Sequence, residues 1–420
     1  MSTPSSKQRR AFSVAKQGAI ELGGRTGMAE WLGRAFKAAG EKAEGETPAG
    51  LELTHGFHSY PARLHPSTTR VLLECFQPKW LLDPFCGSGT VLVEGVHAGC
   101  AVVGGDINPL AVRIARAKTW SGTQNERKAL GLAATSIAED AIEAGKESRR
   151  AGHKRQPVGD SYRNRQLAGW FPPHVRRELE YLADRIAVVA EGNRDQGDIL
   201  WVALSSILYK VSYRASDTDD SKVERNIARG NSARLFDARV QALLDGLEEL
   251  AENRVSGRPR IYEGDARKLG DKGLKDESFD LVLTSPPYGG VYDYARHHAL
   301  RLAFLDVNPK RFVEQEIGAK RQFEKGYPGA LPRWTEDLGL CMAEMERVAK
   351  KDAHVVVVIG DSVAGGKRVA ADDLTTHVAG EGLRLEAWAK QTRPVFSAME
   401  KQVFEGETKY EHILAFRKVG

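Results

Sequence analysis

Seven short apolar runs, separated by helix-like or polar segments, set the pattern of the 420-residue chain. The runs are 80–83, 101–106, 260–265, 279–284, 355–359, 383–389 and 412–416. Continuous apolar runs are typical of parallel strands, because helices bury both faces of a parallel sheet. The first two runs are each followed by a helix-like segment, which is the βαβ signature. The sequence therefore predicts an α/β fold with a Rossmann-like, doubly wound, seven-stranded sheet.

The alternation is interrupted once, between the second and third predicted strands. Residues 121–258 are polar and helical in pattern, with apolar residues at helical spacing between Phe236 and Leu250. We expect a mainly helical insertion there, and one α/β domain built from 51–120 and 259–420. Residues 1–50 mix Ser, Gly, Ala, Lys and Glu, which predicts a flexible N-terminal arm with room for one short helix.

Composition excludes several other classes of protein. The apolar runs are far shorter than the roughly 20 residues of a membrane-spanning helix, and residues 1–10 lack the apolar stretch of a secretory signal. The four cysteines, Cys75, Cys86, Cys100 and Cys341, contain no C-x-x-C pair. Neither a disulfide framework nor a zinc site is therefore expected. We expect a cytoplasmic, nucleoid-associated protein that binds no metal and no membrane.

A glycine-rich turn, DPFCGSGT at 83–90, lies where the first predicted strand meets its helix. Glycines at such a turn let a ligand approach the backbone closely. Gly87 and Gly89 form only G-x-G, without the full dinucleotide fingerprint and without the Lys-Ser/Thr of a phosphate loop. A carboxylate at Asp83 would repel a phosphate and attract an ammonium or sulfonium group. The turn therefore predicts a cationic ligand.

Acidic residues also end the next two predicted strands. Asp106 stands 19 residues after Gly87, where a carboxylate accepts hydrogen bonds from ribose hydroxyls. Asp265 ends the third strand, at the expected place of an adenine ring. A cationic nucleoside with free ribose hydroxyls describes S-adenosylmethionine. The alternative that Asp83 and Asp265 only cap turns is left open by the sequence.

A second motif, SPPY at 285–288, follows the predicted strand 279–284. Its two prolines remove two N–H donors, keep their carbonyl acceptors and hold the backbone outside helical geometry. The amino group of cytosine or adenine is a poor nucleophile, because its lone pair is delocalised into the ring. Acceptors from Ser285 and Pro286 would favour a tetrahedral nitrogen that attacks a methyl sulfonium carbon. The Tyr288 ring would stack on the extruded base, whereas a simple surface turn is the alternative.

Together the two motifs resemble those of the S-adenosylmethionine-dependent amino-group DNA methyltransferases, and the Ser-Pro-Pro-Tyr form resembles the cytosine-N4 branch. The upstream segment 55–63 resembles the family element that helps line the cofactor pocket. The resemblance spans about 55–120 and 260–417 and implies a seven-stranded methyltransferase sheet. It assigns cofactor binding to Tyr60, Asp83, Phe85, Gly87, Gly89, Thr90, Asp106 and Asp265. It assigns catalysis to Ser285, Pro286, Pro287 and Tyr288.

The predicted activity is methyl transfer from S-adenosylmethionine to the exocyclic N4 amino group of a flipped-out cytosine in DNA. Adenine N6 is the near alternative, although adenine-specific members more often carry Asp or Asn where this chain has Ser285. Methylation of guanine N2 in structured RNA, or nucleic-acid binding without catalysis, are further alternatives. The recognition sequence, a restriction or defence partner and the oligomeric state are left open.

Positive charge is concentrated in one part of the insertion. The whole chain has a formal net charge of +5, whereas 146–177 carries nine basic residues and two acidic ones. Because phosphate contacts dominate affinity for nucleic acids, this segment predicts contacts with the DNA backbone, while a solvated charge run is the alternative. The basic residues are Lys146, Arg149, Arg150, Lys154, Arg155, Arg163, Arg165, Arg176 and Arg177. Tyr162, Trp170 and Phe171 lie among them as candidates for stacking on bases or wedging between them.

Overall fold

The computed structural model describes residues 18–40, 51–150, 169–216, 219–252, 257–324, 329–395 and 397–420. Its strands are β1 (Ile20–Gly24), β2 (Trp80–Asp83), β3 (Ala101–Asp106), β4 (Arg214–Ser216), β5 (Asp219–Lys222), β6 (Arg260–Glu263), β7 (Phe279–Thr284), β8 (Ala349–Gly360), β9 (Ser362–Ala364), β10 (Lys367–Val369), β11 (Leu383–Arg393) and β12 (Lys409–Lys418). Its helices are α1 (Thr26–Ala38), α2 (Pro66–Phe76), α3 (Thr90–His97), α4 (Pro109–Lys118), α5 (Gln124–Arg150), α6 (Pro173–Gly192), α7 (Arg194–Ile207), α8 (Asn231–Ala251), α9 (Tyr294–Phe304), α10 (Lys310–Gln315), α11 (Lys320–Glu324), α12 (Ala330–Val348), α13 (Ala371–Val378) and α14 (Ala398–Val403).

The main sheet has eight strands in the order β1-β11-β12-β8-β7-β2-β3-β6. The five strands from β6 to β8 are parallel, β12 is antiparallel to both β8 and β11, and β1 is antiparallel to β11. All seven predicted strands are present, which confirms the Rossmann-like α/β fold. The chain runs outward from β2 through β3 to β6 and then crosses to β7 on the other side of β2. The carboxyl ends of β2 and β7 therefore flank a topological switch point, where open α/β sheets bind ligands.

Alternate residues of the central strands pack into two separate apolar clusters on the two faces of the sheet. In β2, Leu81 packs with the cluster that includes α1 to α4 and the insertion helices, while Leu82 packs with the cluster that includes α12 and α13. Both side chains are fully buried. This alternation follows the period of two in a strand, and it explains why the strands are continuously apolar in sequence.

The N-terminal segment is more ordered than the sequence predicts. Strand β1 pairs with β11, and α1 buries Leu32 and Phe36 in the core. The expected short helix is present as α1, but the structure contradicts a flexible arm over 18–40, because β1 covers the backbone of β11 that would otherwise form an exposed edge. A five-residue strand with two glycines carries little sequence signal. Residues 1–17 and 41–50 lie outside the described part of the chain.

The described part of 121–258 is mainly helical, with helices α5 to α8 and the β4–β5 hairpin. The apolar side of α8, which the sequence predicts between Phe236 and Leu250, is buried. These helices share the apolar cluster of one sheet face, so they are packed on the sheet. Among the described residues, no helix is both long and apolar enough to cross a membrane.

Candidate active site

The two sequence motifs meet at the switch point of the sheet. The Thr284 hydroxyl at the end of β7 donates a hydrogen bond of 2.6 Å to Asp83 Oδ1 at the end of β2. Both side chains are buried. One cavity is lined by Phe85 and Gly87 from the glycine turn and by Ser285 from the 285–288 loop. The chain thus joins segments that are about 200 residues apart into a single site.

The glycine turn has the backbone geometry that its sequence predicts. Gly87 and Gly89 have φ of +49° and +80°, in the left-handed region that favours glycine. A Cβ on Gly89 would also lie 3.0 Å from Ala115 of α4. Thr90 begins α3 directly after Gly89, and its buried hydroxyl has no hydrogen-bond partner within the described ranges. Of these three residues, Gly87 lines the cavity, whereas Gly89 and Thr90 do not.

Asp83 is a buried carboxylate without a neighbouring cation. Its side chain is 3% exposed, and it accepts from Thr284 and from the Phe85 backbone N–H. Burial raises its pKa to about 7, against the lowering effect of these hydrogen bonds, and the charge of Asp106 raises it further. No ion pair reaches Asp83 from the residues that the structure describes. Asp83 is not among the residues that line the cavity, whereas the next two residues, Pro84 and Phe85, are. Its direct contact with the cofactor therefore stays a prediction.

Asp106, at the end of β3, lines the cavity with a carboxylate. It accepts hydrogen bonds from the backbone N–H groups of Gly87 at 2.9 Å and of Asn108 at 2.8 Å. Because the protein surrounds the carboxylate, its pKa is raised to about 6. Asp106 thus connects the glycine turn to the end of β3 while it faces the cavity, the place predicted for the ribose contact.

Asp265 also lines the cavity, but it has a strong partner that the sequence reasoning missed. Arg267 donates to both of its carboxylate oxygens, with Nη2 2.7 Å from Oδ2, and also pairs with Asp337 of α12. Burial raises the pKa of Asp265, and the hydrogen bonds from Arg267 more than reverse that effect, so the pKa is lowered. The available signal was an arginine two residues after the acid at the strand end.

The 285–288 loop divides its residues between the cavity and the protein interior. Ser285 and Pro287 line the cavity, and Pro286 is buried. The Tyr288 ring lies against Gly360 of β8, and its hydroxyl donates to Glu411 of β12 at 3.2 Å. The structure therefore brings Ser285 and Pro287 directly to the predicted cofactor cavity, and it places Tyr288 beside it.

A ladder of three tyrosines closes one side of the cavity. Tyr60 and Tyr294, both lining residues, stack with ring centroids 5.9 Å apart, and Tyr292 stacks on Tyr294 at 5.6 Å. Asn108 donates from its side-chain amide to the Tyr60 hydroxyl. The sequence analysis predicted Tyr60 and did not assign Tyr292 a role.

The segment 312–317 also lines the cavity and was not predicted. Phe312, Gln315, Glu316 and Ile317 line the cavity. Glu316 accepts from the Tyr294 backbone N–H at 2.7 Å and pairs with Arg321 at 2.6 Å. No motif marks this segment, because its position depends on contacts with residues that precede it by about 20 positions.

The predicted DNA-contacting segment is described only in part. Lys154, Arg155, Arg163, Arg165 and Tyr162 lie outside the described residues, as do the side chains of Arg149 and Arg150. Lys146 is exposed and pairs with Glu143, while Arg176 and Arg177 are half-buried on α6.

The two described aromatic residues of this segment differ from each other. Trp170 is partly exposed, with Arg214 and Lys222 over its ring. Phe171 is 2% exposed in the apolar core. The predicted stacking or wedge role of Phe171 is therefore wrong, because its ring is buried inside the protein.

The sequence of the chain is similar to a methyltransferase family model and to type II methyltransferases. A family model described as UPF0020, RMKL-like, methyltransferase domain, matches residues 58–161. The type II methyltransferase M.MvaI of Kocuria varians is 31% identical over 61% of this chain and 58% of its own length. M.MjaII of Methanocaldococcus jannaschii is 22% identical over 73% of this chain and 72% of its own length. The chain thus spans somewhat over half the length of M.MvaI.

Among solved structures, TrmN from Thermus thermophilus aligns with 89% of this chain and 55% of its own, at 11% identity and a TM-score of 0.35. The matched methyltransferase domain confirms S-adenosylmethionine as the predicted methyl donor. The cavity residues fit this group, because Asp106 lines the cavity with a carboxylate that has no ion pair among the described residues, and the rings of Tyr60 and Tyr294 line the same cavity. In sequence, the chain is similar to type II methyltransferases, which supports its resemblance to the S-adenosylmethionine-dependent amino-group DNA methyltransferases.

Proposed function

We propose that this chain transfers a methyl group from S-adenosylmethionine to the exocyclic N4 amino group of cytosine in DNA. The observation that carries the proposal is the Thr284–Asp83 hydrogen bond, which joins the glycine turn to the 285–288 loop at one cavity. A carboxylate suited to a cation and a loop rich in acceptors are thereby adjacent. This pairing matches the two reactants of an amino-group methylation.

The cofactor side of the site uses Asp106 and Asp265, which line the cavity, and Asp83, which directly precedes the lining residues Pro84 and Phe85. Bound S-adenosylmethionine supplies a methyl group on a positively charged sulfur. Asp83 attracts the cationic part of the molecule, Asp106 accepts from the ribose hydroxyls, and Asp265 lies at the adenine edge. Gly87 and Gly89 allow close approach of the backbone, and Tyr60, Phe85 and Thr90 complete the surroundings.

The base side of the site uses the 285–288 loop. The Ser285 hydroxyl and the Pro286 carbonyl accept hydrogen bonds from the target amino group, which frees its lone pair for attack on the methyl carbon. Pro287 keeps the loop rigid. The Tyr288 ring, packed on Gly360, stacks on the extruded base.

DNA as the substrate is supported by the type II methyltransferases among the relatives. The helical insertion 121–258, with its basic segment 146–177, is our candidate for DNA binding and target recognition. The described helices of the insertion pack on one face of the sheet whose strand ends carry the cavity.

The choice of cytosine over adenine depends on Ser285. Adenine-specific members more often carry Asp or Asn at this position, as the resemblance implies. A hydroxyl accepts one N–H bond and can donate its own hydrogen elsewhere, whereas a carboxylate only accepts. We therefore place cytosine N4 first and adenine N6 second.

Nucleoside mass spectrometry tests the proposal. DNA incubated with the protein and S-adenosylmethionine should contain N4-methylcytosine. N6-methyladenine alone would contradict the cytosine assignment, and unmodified DNA from a broad set of duplexes would contradict the activity. Replacing Ser285 and Pro286 by alanine should remove methylation while S-adenosylmethionine still binds in calorimetry, whereas retained activity would exclude these residues from the mechanism.

A further inference from the structure

Two residues of the 285–288 loop are hydrogen-bonded to side chains from distant elements. The indole Nε1 of Trp334, in α12, donates to the Pro287 carbonyl oxygen at 3.3 Å. Glu411, in β12, accepts from the Tyr288 hydroxyl at 3.2 Å. The loop is therefore tied on one side to a helix and on the other to a central strand.

Trp334 is confined by the backbone around the loop. It is 2% exposed, and its indole lies so close to Gly289 that a Cβ there would stand 2.6 Å away. A Cβ on Gly318 would stand 2.9 Å from the same ring. The Gly290 N–H donates to the Gly318 carbonyl at 3.0 Å, so the two glycine segments form a slot around the indole. This slot holds the donor on the Pro287 carbonyl.

Glu411 is confined in the same manner. Arg393 of β11 pairs with its carboxylate, with Nε 3.0 Å from Oε2. The Tyr288 ring lies against Gly360, where a Cβ would stand 2.9 Å away, and Gly360 is the register partner of Glu411 across β8 and β12. The tyrosine is therefore fixed at its hydroxyl and along its ring.

We propose that Trp334 and Glu411 are positioning residues for methyl transfer. Glu411 holds the Tyr288 hydroxyl, which also hydrogen-bonds the Ser285 side chain, and Trp334 holds the Pro287 carbonyl. Together the two residues orient Ser285 Oγ and the Pro286 carbonyl as the loop acceptors for the target amino group. The inference rests on the proposed function. A misplacement of about 1 Å can cost a reaction about 100-fold, so loss of either contact slows the reaction without removing a reacting group.

Three variants test the two contacts. Trp334→Phe keeps an aromatic ring in the slot and removes the donor, while Glu411→Leu removes the acceptor. Each should lower kcat for DNA methylation by about 10- to 100-fold, with the Kd for S-adenosylmethionine within about twofold of wild type. Glu411→Gln keeps a carbonyl acceptor for the Tyr288 hydroxyl and should restore most of the activity that Glu411→Leu loses.

A matched control lies one residue away on the same strand. Tyr410 donates its hydroxyl to Glu21 at 3.0 Å, a pair of the same chemistry on an exposed edge of the sheet. Glu21→Leu should therefore leave kcat unchanged. Urea unfolding of every variant separates positioning from stability, because a positioning residue changes kcat at an unfolding midpoint close to that of wild type.

The outcomes are distinguishable from failure of the proposed function. A wild-type protein that methylates no DNA overturns both proposals. If the wild type is active and both Trp334→Phe and Glu411→Leu keep its kcat, the positioning roles are overturned and the proposed function stands. If Glu411→Gln is as slow as Glu411→Leu, or if kcat falls only in step with stability and cofactor affinity, the assignment of Glu411 is also overturned.

Discussion

Because Asp83 is buried, we expect the protein without bound cofactor to be less stable at alkaline pH than its Asp83→Asn variant. The carboxyl has a pKa near 7 in the folded protein, against an ordinary value of 3.8. At 1.36 kcal/mol per pKa unit, keeping Asp83 ionised in the folded state costs about 4 kcal/mol. Asparagine keeps an acceptor for Thr284 and for the Phe85 N–H and carries no charge.

The sign of the effect follows from proton binding. A carboxyl with a raised pKa holds its proton longer in the folded state than in the unfolded chain, so the free energy of unfolding falls as pH rises from about 4 to 7. The free energy of unfolding of Asp83→Asn should therefore exceed that of wild type by less than about 2 kcal/mol at pH 5 and by about 4 kcal/mol at pH 8.

The assay is urea unfolding without S-adenosylmethionine at both pH values. Asp271→Asn, at an exposed carboxylate, is the matched control and should show no such pH dependence. If the stability difference between Asp83→Asn and wild type is equal at pH 5 and pH 8, or is smaller at pH 8, the argument that burial raises the pKa of Asp83 is refuted.

Further predictions concern the cofactor, the DNA and the core. The affinity for S-adenosylmethionine should fall about 100-fold from pH 8 to pH 5.5 in calorimetry, because Asp83 and Asp106 lose their charge. Their pKa values in the free protein are about 7 and 6, so loss of the Asp83 charge accounts for about 30-fold and loss of the Asp106 charge for about fourfold; a constant Kd would contradict this. Replacing Lys154, Arg155, Arg163 and Arg165 by glutamine should weaken DNA binding and reduce the salt slope of log K by about 3 to 4, as measured by fluorescence anisotropy, with cofactor affinity unchanged. Phe171→Ala should lower the free energy of unfolding by about 3–5 kcal/mol, measured by urea unfolding, whereas a wedge residue on the surface would cost far less.

The features that were predicted correctly are local in sequence. The seven strands have continuous apolar runs because both faces of the sheet are buried, and Leu81 and Leu82 of β2 show this directly by packing on opposite faces. The glycine turn was also visible, because Gly89 supplies a backbone conformation that other residues rarely adopt. These signals need no knowledge of the rest of the chain.

The features that were missed depend on pairing between distant residues. Arg267, Glu316 and Trp334 are ordinary residues of their segments, and their roles arise only where the fold brings them to the cavity or the loop. Strand β1 was missed for a similar reason, since Ile20–Gly24 becomes a strand through the open edge of β11. Phe171 shows the opposite error, in which a role was predicted that the fold does not allow. Its basic neighbours in sequence indicated a place on the DNA-binding surface, whereas its ring is buried in the core.

The same geometry explains why the site tolerates a costly buried carboxylate. Asp83 is held by Thr284 and by the Phe85 N–H, and neither donor carries a charge. A nearby arginine would lower the pKa of Asp83, as Arg267 does for Asp265, and would stabilise the free protein, but it would also compete with a cationic ligand for the carboxylate. A ligand that binds only the folded state adds to its stability, so the stability lost in the free protein is recovered when a cation fills the site. The contrast between Asp83 without a cation and Asp265 with one therefore agrees with the proposed binding mode, in which the cationic part of the ligand lies near Asp83 and its neutral adenine ring lies near Asp265.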